Sequence, residues 1–292
     1  MHPFTIYGAR GSRPVWGERF QRYVGSTSCY SLKTEQGLII FDAGTGMAAL
    51  SDELCKGLHL LPITLFFTHF HLDHIMGLSS FKPFYSRSAE ITLMADGLRE
   101  ENWKETLDRI VTQPVWPLPL LKQGANVSLK DLPGRQHPSL KKDSGSKLQS
   151  KELNLEVGSM MLYGVKISWC PVWHPQTCLS YKIEMPARVI VLATDREHGN
   201  KRYDDLFLEF CHGADILIHD AQYLPEEYSM HRGWGHSTWE KAVKVAISAG
   251  VKQLVLIHSD PARSDDEIDK IVEKARRFFP MTSAATQGMI LS

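Results

Sequence analysis

Short apolar runs alternate with amphipathic stretches along the whole chain. Runs over 4–7, 29–33, 38–41, 63–67, 91–94, 165–170, 179–184, 189–193, 216–218 and 254–257 are rich in Ile, Val, Leu and Phe and suit buried strands. Between them, apolar residues return every three to four positions over 47–55, 101–111, 204–211, 238–249 and 264–278, the spacing of a helix that buries one face. No segment repeats at a fixed period, and the mixed order predicts a layered α/β protein. The 292 residues, 43% hydrophobic and 23% charged, supply a large core and exclude a disordered or disulfide-stapled chain. We read 1–292 as one domain.

One stretch breaks the pattern. Residues 134–151 carry Arg135, Lys141, Lys142, Lys147 and Lys151 against the single acid Asp143, with almost no large apolar side chain. This predicts a flexible surface loop, either a solvated insertion or a basic flap that closes over an anionic substrate. Over the whole chain 33 basic residues balance 33 acidic ones, so bulk attraction to nucleic acid or an anionic membrane is not expected. The amino terminus lacks a basic segment followed by an apolar one, and no window approaches the roughly 18 apolar residues of a membrane span. These features predict a cytoplasmic protein with no membrane partner. Cys29, Cys55, Cys170, Cys178 and Cys211 are widely spaced with no C-x-x-C pair, and read as reduced, mostly buried thiols.

The chemistry is concentrated after the strand run 63–67. There His69, His71, Asp73 and His74 fall within six residues, a density of nitrogen and oxygen donors that suits zinc, manganese or iron rather than calcium or magnesium. His71 and His74 fall on different faces of a turn, so four such donors do not fit one tetrahedral ion, and further donors are expected. His174, Asp195 and His258 each follow an apolar run, and one set of strand carboxyl ends would bring them together.

Taken together with Asp42 in the segment Phe41-Asp42-Ala43-Gly44-Thr45-Gly46, these positions resemble the five motifs of the metallo-β-lactamase-fold hydrolase superfamily, and the likeness covers nearly the whole chain. The resemblance implies a four-layer αββα sandwich around two divalent ions, zinc foremost, with manganese or iron as alternatives. It implies that His69, His71 and His174 hold one ion, that Asp73, His74 and His258 hold the other, and that Asp195 bridges them. Asp42 would hydrogen-bond a ligand and fix its orientation, or else cap the turn ahead of Gly44. Two cations about 3.5–4 Å apart lower the pKa of a bound water towards neutrality and present a hydroxide to an electrophile. Superfamily members that do redox chemistry with two irons have Glu at the second histidine of the motif. His71 stands there in this chain, which favours hydrolysis.

A second segment narrows the substrate. Gly233-Trp234-Gly235-His236-Ser237-Thr238 opens the helix predicted from 238, with Ser237 or Thr238 as its cap. It is similar to the G-H-S-T segment of the ribonuclease Z and cyclic phosphodiesterase branch, where the histidine protonates the leaving alkoxide or stabilises the charge on the phosphorane-like state. A general acid is worth roughly 100- to 10,000-fold against a poor leaving group. His219-Asp220-Ala221-Gln222 resembles that branch's H-E-A-T, with Asp220 one methylene shorter than Glu. Asp220 either pairs with His236 or is a structural strand-end residue. Asp73, His236 and Asp220 are the expected catalytic groups. The segments 8–12 and 22–28 also resemble bacterial relatives of this branch, and read either as a backbone nest for phosphate that includes Arg10 and Ser12 or as a plain hairpin turn. His59, His137, His198, His212 and His231 are expected at the surface or in caps.

In ribonuclease Z a long arm that grips transfer RNA is inserted between the third-motif histidine and the next aspartate. Here only two strand runs separate His174 from Asp195, so tRNA is not expected as a partner. Pro175, Gln176 and Thr177 are bulkier than the usual small residues after that histidine and would narrow the pocket. The reading is a metal-dependent phosphodiesterase that opens a small diester, a cyclic nucleotide or cyclic ribose phosphate, by in-line attack of the bridging hydroxide with His236 as general acid. The alternatives are a thioesterase, glyoxalase or lactonase type of metallohydrolase, a ribonuclease, or a catalytically dead metal-binding scaffold. Because members of the superfamily often pair, a homodimer is implied.

Overall fold

The computed structural model describes residues 2–23, 25–57, 61–97, 102–134 and 155–291. The expected basic loop, save Gly134, lies outside the described residues, as do His59 and His137.

The first part of the chain forms β1 (Phe4–Gly8), β2 (Cys29–Lys33), β3 (Leu38–Phe41), α1 (Met47–Leu54), β4 (Ile63–Phe66), α2 (Leu72–Ile75), β5 (Glu90–Ala95), α3 (Trp103–Ile110) and β6 (Asn126–Asp131). The second part forms β7 (Gly158–Leu162), β8 (Val165–Val172), β9 (Cys178–Met185), β10 (Arg188–Ala193), α4 (Lys201–Cys211), β11 (Ile216–Asp220), α5 (Trp239–Ala249), β12 (Gln253–Ile257), α6 (Asp265–Arg276), β13 (Thr282–Ala284) and β14 (Met289–Leu291). One sheet runs β14-β1-β2-β3-β4-β5-β6, the other β13-β12-β11-β10-β9-β8-β7.

The sheets face each other across an apolar layer in which the Phe41, Phe66 and Tyr181 rings meet at 5.1–5.6 Å around buried Trp169. Met47, Leu50, Trp103 and Leu107 seal the outer face of the first sheet. Phe207, Phe210, Val243, Ala246, Ile268 and Val272 seal that of the second. All four residues of β3 and of β4 are therefore buried, and apart from Thr64, whose hydroxyl bonds that of Tyr163, their sequences are apolar because both faces are covered. This is the four-layer αββα arrangement.

Four strands do not announce themselves in the sequence. The half-exposed β6 and β7 are sheet edges, and β13 and β14, three residues each, pair along one side only. An edge strand needs no continuous apolar run, so its pattern is faint.

Each sheet has a parallel part, β3-β4-β5-β6 in the first and β10-β11-β12-β13 in the second, whose carboxyl ends carry most of the residues singled out above. The five cysteines form no disulfide, and only Cys55 is exposed. Among the described residues no helix is long and apolar enough to cross a membrane.

Candidate metal centre

Strand ends deliver the site. Asp42 follows β3, His69 and His71 follow β4, Asp73 and His74 lie in α2, His174 follows β8, Asp195 follows β10, Asp220 ends β11 and His258 follows β12. Asp42, Asp195 and His258 share a feature invisible in sequence: each takes φ of 50–60°, the left-handed region, as its strand ends. That geometry costs roughly 1–3 kcal/mol per non-glycine residue and is found where the surrounding structure enforces it, often at functional sites. Two glycines permit the tight approach of the loops. A Cβ on Gly44 would stand 2.2 Å from the Asp73 carbonyl oxygen, and one on Gly235, whose φ is +91°, would stand 2.1 Å from His174 Nδ1.

The side chains fall into overlapping groups whose donor atoms lie within 4.8 Å of one another: His69, His71, His174 and Asp195; Asp73, His74, Asp195 and His258; and Asp195, Asp220, His236 and His258. Asp195 belongs to all of them. The structure thus brings together the seven expected ligands, separates His71 from His74 as the turn geometry required, and sets the His236–Asp220 pair against the same cluster.

The outer nitrogen of most of these histidines is spoken for. His74 Nδ1 donates to Asp42 Oδ2 at 2.8 Å, His174 Nδ1 to the Gly235 carbonyl at 2.9 Å, His258 Nδ1 to Gln222 Oε1 at 2.8 Å and His236 Nδ1 to Asp220 Oδ2 at 2.8 Å. Each acceptor lacks a proton of its own, so each bond keeps the hydrogen on Nδ1 and turns Nε2 to the cluster, where it offers a lone pair when the ring is neutral and an N–H when it is charged. Asp42 is held in turn by the Thr68 amide and hydroxyl, both at 2.8 Å, and Asp220 Oδ1 accepts from the amides of Gln222 and Ser237. The Ser12 amide donates to Asp73 Oδ2 at 2.9 Å.

Charge is arranged just as strictly. Burial lowers His69 and His71, and takes His174 down to about 4, so these imidazoles are neutral donors. Burial alone would also lower His74 and His258, but the facing carboxylates Asp195 and Asp73 outweigh it, raising His74 strongly and His258 to about 9. Burial works against ionised Asp73 and Asp195 too, yet the histidines opposite hold both below the usual carboxylate range. Buried negative charge here demands positive charge at the centre. His69 Nε2 and His74 Nε2 are buried without a hydrogen-bond partner, 3.6 and 3.1 Å from Asp195 oxygens. Neutral imidazoles, ionised carboxylates and orphaned ring nitrogens aimed at one point fit divalent transition-metal ions.

Several expectations need correction. The amino-terminal segment is no phosphate nest: the amides of Ala9 and Arg10 are spent on the Ser26 carbonyl, Gly11 on Ser259, Ser12 on Asp73 and Arg13 on Gly11. Arg10 is buried, its guanidinium on the carbonyls of Asp260 and Arg263. His231 caps the short helix Tyr228–Met230 at its carboxyl end, as expected, and stacks on Tyr223, whereas the half-buried His198 bonds Ser237 Oγ and stacks on Tyr228. Sequence reasoning missed Thr68, Gln222 and Glu197. Glu197, buried, accepts from the amides of Gly233 and Gly235 and from the Tyr228 hydroxyl, which fixes the loop before His236. The position of Glu197, two residues past Asp195, was its only signal.

Comparison with known proteins gives concordant likenesses. The family model described as beta-lactamase superfamily domain matches residues 38–259. A ribonuclease Z of Gemmatimonas aurantiaca is 24% identical over 280 residues, 89% of this chain and 88% of that one. The metallo-beta-lactamase fold protein YhfI from Bacillus subtilis superposes with a TM-score of 0.69 at 16% identity, covering 100% of both chains. The short form of human tRNase Z superposes with a TM-score of 0.62 at 20% identity, covering 99% of this chain and 98% of that one.

Proposed function

From the premise that the chain belongs to the beta-lactamase superfamily, we propose that it is a metal-dependent phosphodiesterase acting on a small diester, cyclic or linear. His69, His71 and His174 would hold one ion, Asp73, His74 and His258 the other, with Asp195 between them. When bound, two divalent ions, zinc foremost, supply an activated water and positive charge against the phosphoryl oxygens.

The observation that carries the choice of substrate is the His236–Asp220 pair. Its 2.8 Å bond holds the His236 ring 4.8 Å, centroid to centroid, from His258 and 5.7 Å from His174, so an extra imidazole stands beside the cluster. Asp220 leaves His236 Nε2 to give a proton to the departing oxygen and stabilises the charged ring. Lactam or thioester cleavage has less use for such an acid, because those leaving groups are better or are protonated differently. The test is His236→Ala, which keeps both ions and loses roughly 100- to 10,000-fold in kcat on an alkyl-ribose diester. On bis(p-nitrophenyl) phosphate, whose leaving group needs no proton, the loss is far smaller. Equal losses on the two substrates would refute the general-acid role.

RNA is a second reading, favoured by the relative named ribonuclease Z that matches 89% of this chain. Against it, the interval from His174 to Asp195 holds only β9 and β10, joined through Pro186 and Ala187, with no room for a tRNA-gripping arm. Cleavage of precursor tRNA at rates above those on small diesters would decide for RNA.

A further inference from the structure

Three tryptophans are more than a third exposed, Trp16, Trp173 and Trp234, at 80, 39 and 60%, and each lies within four residues of a position at the candidate centre along the chain. Trp16 is four residues from Ser12, whose amide holds Asp73; Trp173 precedes His174; Trp234 lies two residues before His236. Trp173 has a partner in Tyr203, at 5.4 Å between centroids. Trp234 is tied to the site by a chain of rings instead. It meets His231 edge-on at 5.0 Å, His231 lies flat on Tyr223 at 4.3 Å, and Tyr223 meets His236 edge-on at 5.9 Å.

The backbone around Trp234 is fixed to an unusual degree for so exposed a side chain. Gly233 and Gly235 flank it with φ of +87° and +91°, and the amides of both donate to Glu197, at 2.7 and 2.9 Å. Glu197 is 2% exposed, and the Tyr228 hydroxyl secures it at 2.8 Å. A buried carboxylate is thus spent on the peptides on either side of one solvent-facing indole. A platform whose backbone is already ordered loses little entropy when a ligand settles on it. Indole faces are the surfaces on which planar bases stack, without need of a particular base.

We propose that Trp234 is the stacking platform for a nucleobase, so that the diester opened at the neighbouring centre belongs to a nucleotide rather than to a base-free ribose phosphate. This inference rests on the phosphodiesterase reading and deepens it. The base is carried either by a small nucleotide or by the end of an RNA strand, and the experiment separates these sources.

KM and kcat are measured for wild type, Trp234→Ala, Trp234→Phe and, as an exposed control outside the chain of rings, Phe278→Ala. The substrates are 2′,3′-cyclic AMP, the base-free methyl riboside 2,3-cyclic phosphate and a short single-stranded RNA. Trp234→Ala is expected to raise KM for the base-bearing substrate roughly 10- to 100-fold, the range seen when a stacking aromatic is truncated, with kcat within about twofold. Trp234→Phe restores most of the affinity, and neither Phe278→Ala nor the base-free substrate shows the change. A penalty on the mononucleotide assigns the base to a small diester; one on RNA alone assigns it to a strand. An equal penalty on the base-free substrate, or none on any base-bearing one, overturns the proposal. Binding of AMP, followed by tryptophan fluorescence in the same proteins, needs no turnover. If wild type cleaves no diester but AMP binding still depends on Trp234, the phosphodiesterase reading fails and the platform stands. If AMP binding is indifferent to Trp234 while diesters are cleaved, the platform fails alone.

Discussion

The two sheets build one centre by opposite means. The first sheet supplies four candidate ligands from a single six-residue turn after β4, so their mutual placement is settled by local backbone geometry. The second supplies one residue per strand end, His174, Asp195, Asp220 and His258, and their meeting depends on the register of β8 through β12. A contiguous cluster can survive small shifts of the sandwich, whereas a converging one needs every strand in place. This explains why the second sheet's residues carry the heavier supporting network, with Gln222 behind His258, the Gly235 carbonyl behind His174 and Glu197 behind the loop of His236.

The comparison can be broken most violently from the first sheet. Replacing His71 by Ala removes one donor from the group it shares with His69, His174 and Asp195, and is expected to lower kcat/KM by several orders of magnitude with little change in Tm. A thermal melt beside the kinetic assay checks both halves. A smaller effect is expected from Gln222→Ala, which frees the His258 ring without touching a ligand atom. Loss of such an orienting bond typically weakens metal affinity about 10- to 100-fold. Competition with a chelator measures it, and the matching variant in the first sheet, Asp42→Asn, sets a buried NH2 against either the Thr68 amide or His74 Nδ1 and is expected to lose at least as much.

The smallest effect is one of pH on the metal-free protein. His258 is raised from 6.5 to about 9 by Asp195 and Asp73 against the pull of burial, and His74 is raised as well. A raised histidine contributes stability that is fully present below its unfolded value and is lost as pH climbs through the folded one. The Tm of the metal-free protein therefore falls between pH 6.5 and about 9, and bound ions, which displace those protons, flatten the fall. A metal-free Tm that rises over this window would mean that the carboxylates do not hold those protons.

How much of this could be read in advance follows the same division. The turn at 69–74 was legible because its donors are contiguous, and His174, Asp195 and His258 because each follows an apolar run. The left-handed backbone at Asp42, Asp195 and His258 was not legible, since nothing in a strand's sequence states how it ends. Gln222, Thr68 and Glu197 were hidden because an amide, a hydroxyl or a carboxylate becomes meaningful only when folding puts a partner beside it. Arg10 misled for the converse reason: glycines, hydroxyls and an arginine suggest an anion site, but here the fold spends the segment's amides and the guanidinium on its own carbonyls and on Asp73.

The central claim, that seven side chains from both sheets hold two ions, is tested most directly by metal content. Wild type, His71→Ala and His258→Ala are purified without chelator, loaded with zinc, desalted and analysed for metal per chain. The account predicts two equivalents in wild type and close to one in each variant, whichever sheet is altered. Fewer than one equivalent in wild type, or two in either variant, would contradict it.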